Sequence, residues 1–239
     1  MIYIEDNFLE PKVLEAVLKD NRKYMEVKTP GKSFWVKEPS NDLIEYVVKK
    51  ISYIEHKEVE NVLCFFRQAK ENQDVDWRIH NDSIIEGQQP ENAIVLYLSE
   101  DNVKGLNGTA FWSHKTHGDT YKGSTEDDFN RLLINDSNDT SKWDLKTVIG
   151  HKQNRLISYP CEYFHSKYPN KFNKSREVLV MFYKTKPSTG ERNVMFRDYK
   201  KARNKIINKE FIKQKNEGIN NIRNEEQTGC GCKSDTASS

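Results

Sequence analysis

Long apolar runs are missing from this 239-residue chain. No stretch approaches the roughly 18 to 20 consecutive apolar residues that a bilayer span needs. The opening Met1-Ile2-Tyr3-Ile4-Glu5-Asp6 has neither the basic start nor the apolar segment of a secretory leader, so no membrane contact and a cytoplasmic location are expected. Cysteine is scarce. The four that occur, Cys64, Cys161, Cys230 and Cys232, are too few and too unevenly spaced for the disulfide framework of a secreted domain. Cys64 and Cys161 lie in apolar runs and read as small buried hydrophobes. Cys230 and Cys232 have no His nearby and make a poor zinc site. Charge of one sign is also lacking: 38 basic against 36 acidic residues leave a formal net charge of +2. There is no global field to draw nucleic acid or an anionic membrane, although a local basic patch would not show in that total.

What is present is enough for one sizeable core, with 36% hydrophobic and 11% aromatic residues. The expected division is a main domain over 1–195, a Lys/Asn-rich helix over 196–224 and a disordered polar tail over 225–239. Two amphipathic helices are predicted early. One spans Glu10 to Lys19, with Pro11 near its first position and Val13, Leu14, Val17 and Leu18 on one face. The other runs from Ser40 to Ile54, capped by Ser40 or Asn41, with Leu43, Ile44, Val47, Val48 and Ile51 aligned. Between them lie a turn at Pro30-Gly31 and a short aromatic stretch, Ser33 to Val36. From Val59 the period changes to two. Strands are predicted at 62–67, 77–82, 93–98, 109–113, 146–149, 155–159 and 177–183, with no helices interleaved, which indicates an antiparallel sandwich or barrel. The polar segment 118–146 is a long insertion over one end of the sheet.

The chemistry concentrates in Trp77-Arg78-Ile79-His80-Asn81-Asp82. On an extended strand alternate side chains share a face, so an imidazole and a carboxylate can address one point. With a second His the set becomes a 2-His-1-carboxylate triad, three ligands that leave open positions on iron(II). His165 is the candidate third ligand. Alone, the His-x-Asp pair fits a solvated surface strand better than a metal site. His114, His117 and His151 could build a second metal site, although exposed positions or the mouth of the active site suit them better. His56 reads as a helix-end residue.

In order, the chain carries His80-x-Asp82, Tyr97-Leu98, Gly108-Thr109-x-Phe111, Asn154-Arg155-Leu156-Ile157, His165 and Arg176 before a last apolar strand. This order resembles the iron(II)/2-oxoglutarate-dependent dioxygenases, particularly their prolyl 4-hydroxylase-like branch, over about 59–183. The resemblance implies a mainly β fold, a double-stranded β-helix (jelly-roll, cupin-like barrel) with the N-terminal helices packed on one sheet. It implies Fe(II) held by His80, Asp82 and His165, with 2-oxoglutarate and O2 as co-substrates. Arg176 would hold the distal carboxylate of 2-oxoglutarate, Tyr97 would reach the same carboxylate, and Arg67 would face the pocket near co-substrate or substrate. The reaction would be hydroxylation of a C–H bond in a peptide, prolyl above all, or in a small molecule. The alternative is a non-catalytic cupin-like metal- or ligand-binding protein. Two departures stand out. The family's Ser or Thr two residues after the basic residue is Val178 here, so another hydroxyl must substitute, and its double glycine is Asn107-Gly108.

Overall fold

Period-two burial over long strands requires two covered faces, and the chain meets this with two antiparallel sheets and a layer of helices. The structure is a computed structural model that describes residues 1–29, 32–69, 76–82, 85, 87–100, 108–121, 126–169, 175–187 and 191–228. The strands are β1 (Tyr3–Glu5), β2 (Met25–Thr29), β3 (Lys32–Lys37), β4 (Lys57–Ala69), β5 (Asn92–Tyr97), β6 (Gly108–His114), β7 (Trp143–Gly150), β8 (Leu156–Pro160), β9 (His165–Tyr168) and β10 (Arg176–Pro187). The helices are α1 (Pro11–Leu18), α2 (Asn41–Glu55), α3 (Glu126–Asp136) and α4 (Arg192–Thr228). The seven-stranded sheet runs β1-β8-β5-β10-β4-β3-β2 and the three-stranded sheet β7-β6-β9.

Alternation along β10 shows how the layers divide. Leu179, Met181 and Tyr183 face the helices, where they meet Leu43, Tyr46, Val47 and Ile51 of α2 and Tyr199 and Ala202 of α4. Val178, Val180 and Phe182 face the other sheet and pack with Val95, Ile157, Phe111 and Ile149. Each such side chain, taken from water into the interior, contributes about 1.5 to 3 kcal/mol. The predicted helices form. Ser40 Oγ accepts from Leu43 N at 3.3 Å at the start of α2, and His56, at φ 55°, ends it in a left-handed turn.

Three features depart from expectation. β2 is a strand that the sequence did not announce, because only Met25 and Val27 alternate with polar residues on it and both are exposed; the expected turn at Pro30-Gly31 lies outside the described residues. Segment 77–82 is not a regular strand: Arg78 adopts φ 49°, and only His80 makes an isolated bridge, to His165. Within 118–146 the helical turn that the sequence offers at 127–134 forms and is longer than expected, giving α3. This helix covers the outer face of the small sheet, closing a third core of Trp112, Trp143, Phe164, Ile79 and Leu132. At Gly108 the backbone of β6 passes so close to β7 that an added Cβ would lie 2.0 Å from the carbonyl oxygen of Ile149. The tail cysteines, Cys230 and Cys232, lie outside the described residues.

Candidate metal centre

His80 and Asp82 reach the space between the sheets on an arm that neighbouring backbone fixes at every step. Arg78 N donates to Asn138 Oδ1 at 2.8 Å, and Ile79 N donates to the carbonyl of Ser137 at 2.9 Å. His80 exchanges two backbone hydrogen bonds with His165, at 3.1 and 2.8 Å, and Asp82 N donates to the Cys161 carbonyl at 2.8 Å. His165 opens β9, so the bridge sets the two imidazoles side by side, their planes inclined at 45° and ring centroids 4.5 Å apart. Asp82 lies 3.6 Å from His80 Nε2 and 3.2 Å from His165 Nε2. One donor atom from each of the three residues falls within 4.8 Å of the others, the sole such cluster among the described residues.

The donors are chemically ready for a cation. A carbonyl can only accept, so the bonds from His80 Nδ1 to the Arg78 carbonyl (2.8 Å) and from His165 Nδ1 to the Tyr163 carbonyl (3.0 Å) place the ring protons on Nδ1. That leaves both Nε2 lone pairs turned to the acid, the arrangement in which second-shell partners orient metal-binding histidines. Burial, reinforced by the neighbouring His165, holds the pKa of His80 down at about 3. Burial pushes the Asp82 carboxyl up, but the surrounding positive charge, Arg67 included, outweighs it and holds the group below the ordinary carboxylate range. Two nitrogens and one anionic oxygen suit a borderline divalent ion such as iron(II).

Beside this cluster a cavity of about 740 Å³ opens between the sheets, lined by all three residues and by Arg67, Thr109 and Arg176 among others. Arg176 lies at the start of β10, is buried, and has its pKa lowered by that burial, Arg67 adding to the effect. Its guanidinium sits 5.5 Å from the centre of the Tyr97 ring. Tyr97 is fully buried and its hydroxyl donates to Thr109 Oγ1 at 2.7 Å. Tyr97 thus turns toward the residues around Arg176, while Thr109, which takes its hydroxyl proton, is among the residues that border the cavity. Arg67 is brought into the lining, with its guanidinium 4.9 Å from the centre of the Phe34 ring. Trp77 lines the cavity too, and packs edge-on to Trp112 at 5.5 Å.

The other histidines do something else. His114 is buried, not exposed or at a mouth: its Nδ1 accepts from Thr116 N and His117 N, and its Nε2 donates to Asp136 at 3.1 Å. His151 is buried elsewhere, with Nε2 bonded to the Ser99 carbonyl at 2.8 Å and its ring against Tyr97, so these residues build no second metal site. Reasoning from the sequence left Thr109 without a role although it stands in a quoted motif. Ser137 and Asn138, which anchor the His80 arm, carry no signal at all.

Solved structures share this architecture. The non-heme alpha-ketoglutarate-dependent carbocyclase SnoK from nogalamycin biosynthesis aligns with a TM-score of 0.52 and 10% identity, over 81% of this chain and 85% of its own. AviO1 from Streptomyces viridochromogenes Tue57 aligns with 0.50 and 12% identity, over 80% and 91%. A Pseudomonas putida prolyl-4-hydroxylase gives 0.47 and 11%, over 77% and 92%. No protein-family model and no curated protein sequence matches the chain. The likeness is one of fold, and the chain has the double-stranded β-helix fold of the 2-oxoglutarate/iron(II) oxygenases. Among the described residues, no helix is long and apolar enough to cross a membrane.

Proposed function

We propose that this protein is an Fe(II)- and 2-oxoglutarate-dependent oxygenase that hydroxylates a C–H bond of its substrate. The observation that carries the reading is the pair of Nε2 lone pairs and the Asp82 carboxylate meeting at the edge of a cavity that also contains the buried Arg176. His80, Asp82 and His165 would hold the ion on one face. Bound iron(II) with 2-oxoglutarate and O2 would supply the oxidant, one oxygen atom going to the C–H bond and the other to succinate, with release of carbon dioxide. Arg176 would grip the distal carboxylate with a planar fork of N–H groups. The Thr109 hydroxyl, its lone pair occupied by Tyr97, keeps its own proton to donate to the same carboxylate. It replaces the hydroxyl absent at Val178. The apolar walls, Val95, Val178 and Val180, would keep water from the reacting centre.

The substrate is a peptide, prolyl above all, or a small molecule, and the enzyme works in the cytoplasm, which suits the buried free thiols of Cys64 and Cys161. Anaerobic addition of Fe(II) and 2-oxoglutarate is expected to give a visible charge-transfer band, and air is expected to convert 2-oxoglutarate to succinate even without substrate. His165→Ala abolishes both signals. Arg176→Gln loses about 1.5 to 3 kcal/mol of charge-assisted hydrogen bonding in total, a tenfold to hundredfold higher 2-oxoglutarate requirement. A wild-type protein that shows neither band nor succinate would leave the cupin-like binding protein as the surviving reading.

A further inference from the structure

Tyr159 lies in the cavity with a hydroxyl that the scheme above does not use. On β8 the alternation sends Ser158 toward the helices, where it bonds Tyr183, and sends Ile157, Tyr159 and Cys161 into the space between the sheets. The small Ala93 is its cross-strand neighbour on β5. Its ring packs against His165 at 4.9 Å and edge-on to Phe111 at 5.0 Å, and the side chain borders the cavity while remaining 98% buried as a residue, with 2% exposure. Tyr97, buried on the adjoining β5, and Tyr183, buried on β10, both give their hydroxyl protons to protein acceptors. Among the described residues no hydrogen bond reaches the Tyr159 hydroxyl, and the side chain opens on the cavity. A phenol is a donor at neutral pH, and a buried donor facing a cavity calls for an acceptor that arrives with a ligand.

We propose that Tyr159 positions the 2-oxo-acid end of 2-oxoglutarate by donating a hydrogen bond to one of its oxygens, an inference that rests on the function proposed above. The ring contact with His165 puts this side chain beside the metal-site residues, and both Asp82 and Arg176 act on the phenol electrostatically. Two anchors then fix the co-substrate. Arg176 and Thr109 take the distal carboxylate and Tyr159 the end that meets the ion, so the molecule cannot pivot about its distal grip.

The test titrates 2-oxoglutarate into the Fe(II)-loaded protein without air, and the monocarboxylate pentanoate, which has only the distal group, into the metal-free protein. Tyr159→Phe keeps the ring against His165 and Phe111, so an unchanged melting temperature is expected. It should weaken 2-oxoglutarate binding about tenfold and shift the charge-transfer band, leaving pentanoate binding within about twofold. Arg176→Gln should weaken both. Unchanged 2-oxoglutarate affinity and band in Tyr159→Phe overturn the inference while the oxygenase reading stands, and so does an equal loss for pentanoate, which would make Tyr159 a wall of the distal pocket. Absence of the band in the wild type removes the oxygenase reading itself, and the role of Tyr159 with it.

Discussion

Asn154 ties three parts of the molecule together, and its removal gives a quantity that can be worked from the structure. It holds φ 64°, in the left-handed region that most side chains avoid. Its Oδ1 accepts from Leu9 N at 2.7 Å and its Nδ2 donates to Leu9 O at 2.8 Å, while its backbone N donates to Tyr97 O at 2.7 Å. Leu9 and Asn154 are both buried, so Asn154→Ala strands a backbone donor and a backbone acceptor away from water. Each costs about 1 to 3 kcal/mol, and placing alanine in the left-handed region adds about 1 kcal/mol. The expected loss is about 3 to 7 kcal/mol, read from the urea midpoint at constant m-value. Asn154→Gly strands the same groups but accepts the dihedral, so it should be about 1 kcal/mol milder. A loss under about 1 kcal/mol in Asn154→Ala, or a glycine variant no milder than the alanine one, would refute the reasoning.

Gly108→Ala should lower stability by about 3 kcal/mol, seen as a fall in melting temperature, because the new Cβ meets the Ile149 carbonyl at 2.0 Å and His151 N at 2.9 Å, both of them backbone atoms. Leu132→Ala should cost about 2 to 5 kcal/mol and also weaken Fe(II) binding, since α3 ends in the Ser137 and Asn138 groups that hold the His80 arm; an unchanged metal titration would show that the arm stands without the helix. Hydrogen bonds from Arg22 hold the Asp20 carboxyl at about 2, against an ordinary 3.8. The folded value is the lower one, so the stabilisation exists above about pH 4 and fades as pH falls toward 2. With Arg22 half exposed it amounts to about 1 kcal/mol, and the stability gap between wild type and Asp20→Asn should close over that range in acid denaturation.

How far the chain could be read depended on whether a position's role was local. α2 was legible because one apolar face lies within its own 15 residues and a Ser cap immediately precedes them. β5 and β10 were legible because burial on both faces leaves unbroken apolar runs. β2, with Met25 and Val27 facing solvent, offers no such run and appears only through its pairing with β3. His114 shows the same limit among polar groups. Its polarity suggested a solvent-facing place, yet Asp136, 22 residues later in the chain, and two backbone N–H groups satisfy both ring nitrogens and allow it inside. The residue types of the triad were visible from the sequence; what holds them was not.

The holding matters more than the spacing. His-x-Asp on a flat strand would put both side chains on one face, but the left-handed turn at Arg78 breaks that strand and swings its carbonyl onto His80 Nδ1. An arginine adopts this backbone only when its surroundings over-determine it, and Asn138 and Ser137, from the far side of the small sheet, supply the constraint. Tyr163 does the same for His165 without strain, two residues before it in the chain. Both imidazoles are therefore fixed in tautomer and direction by main-chain oxygens before any ion arrives, and burial keeps His80 neutral well into acid. The site's readiness for metal is a property of segment 118–146 as much as of the triad.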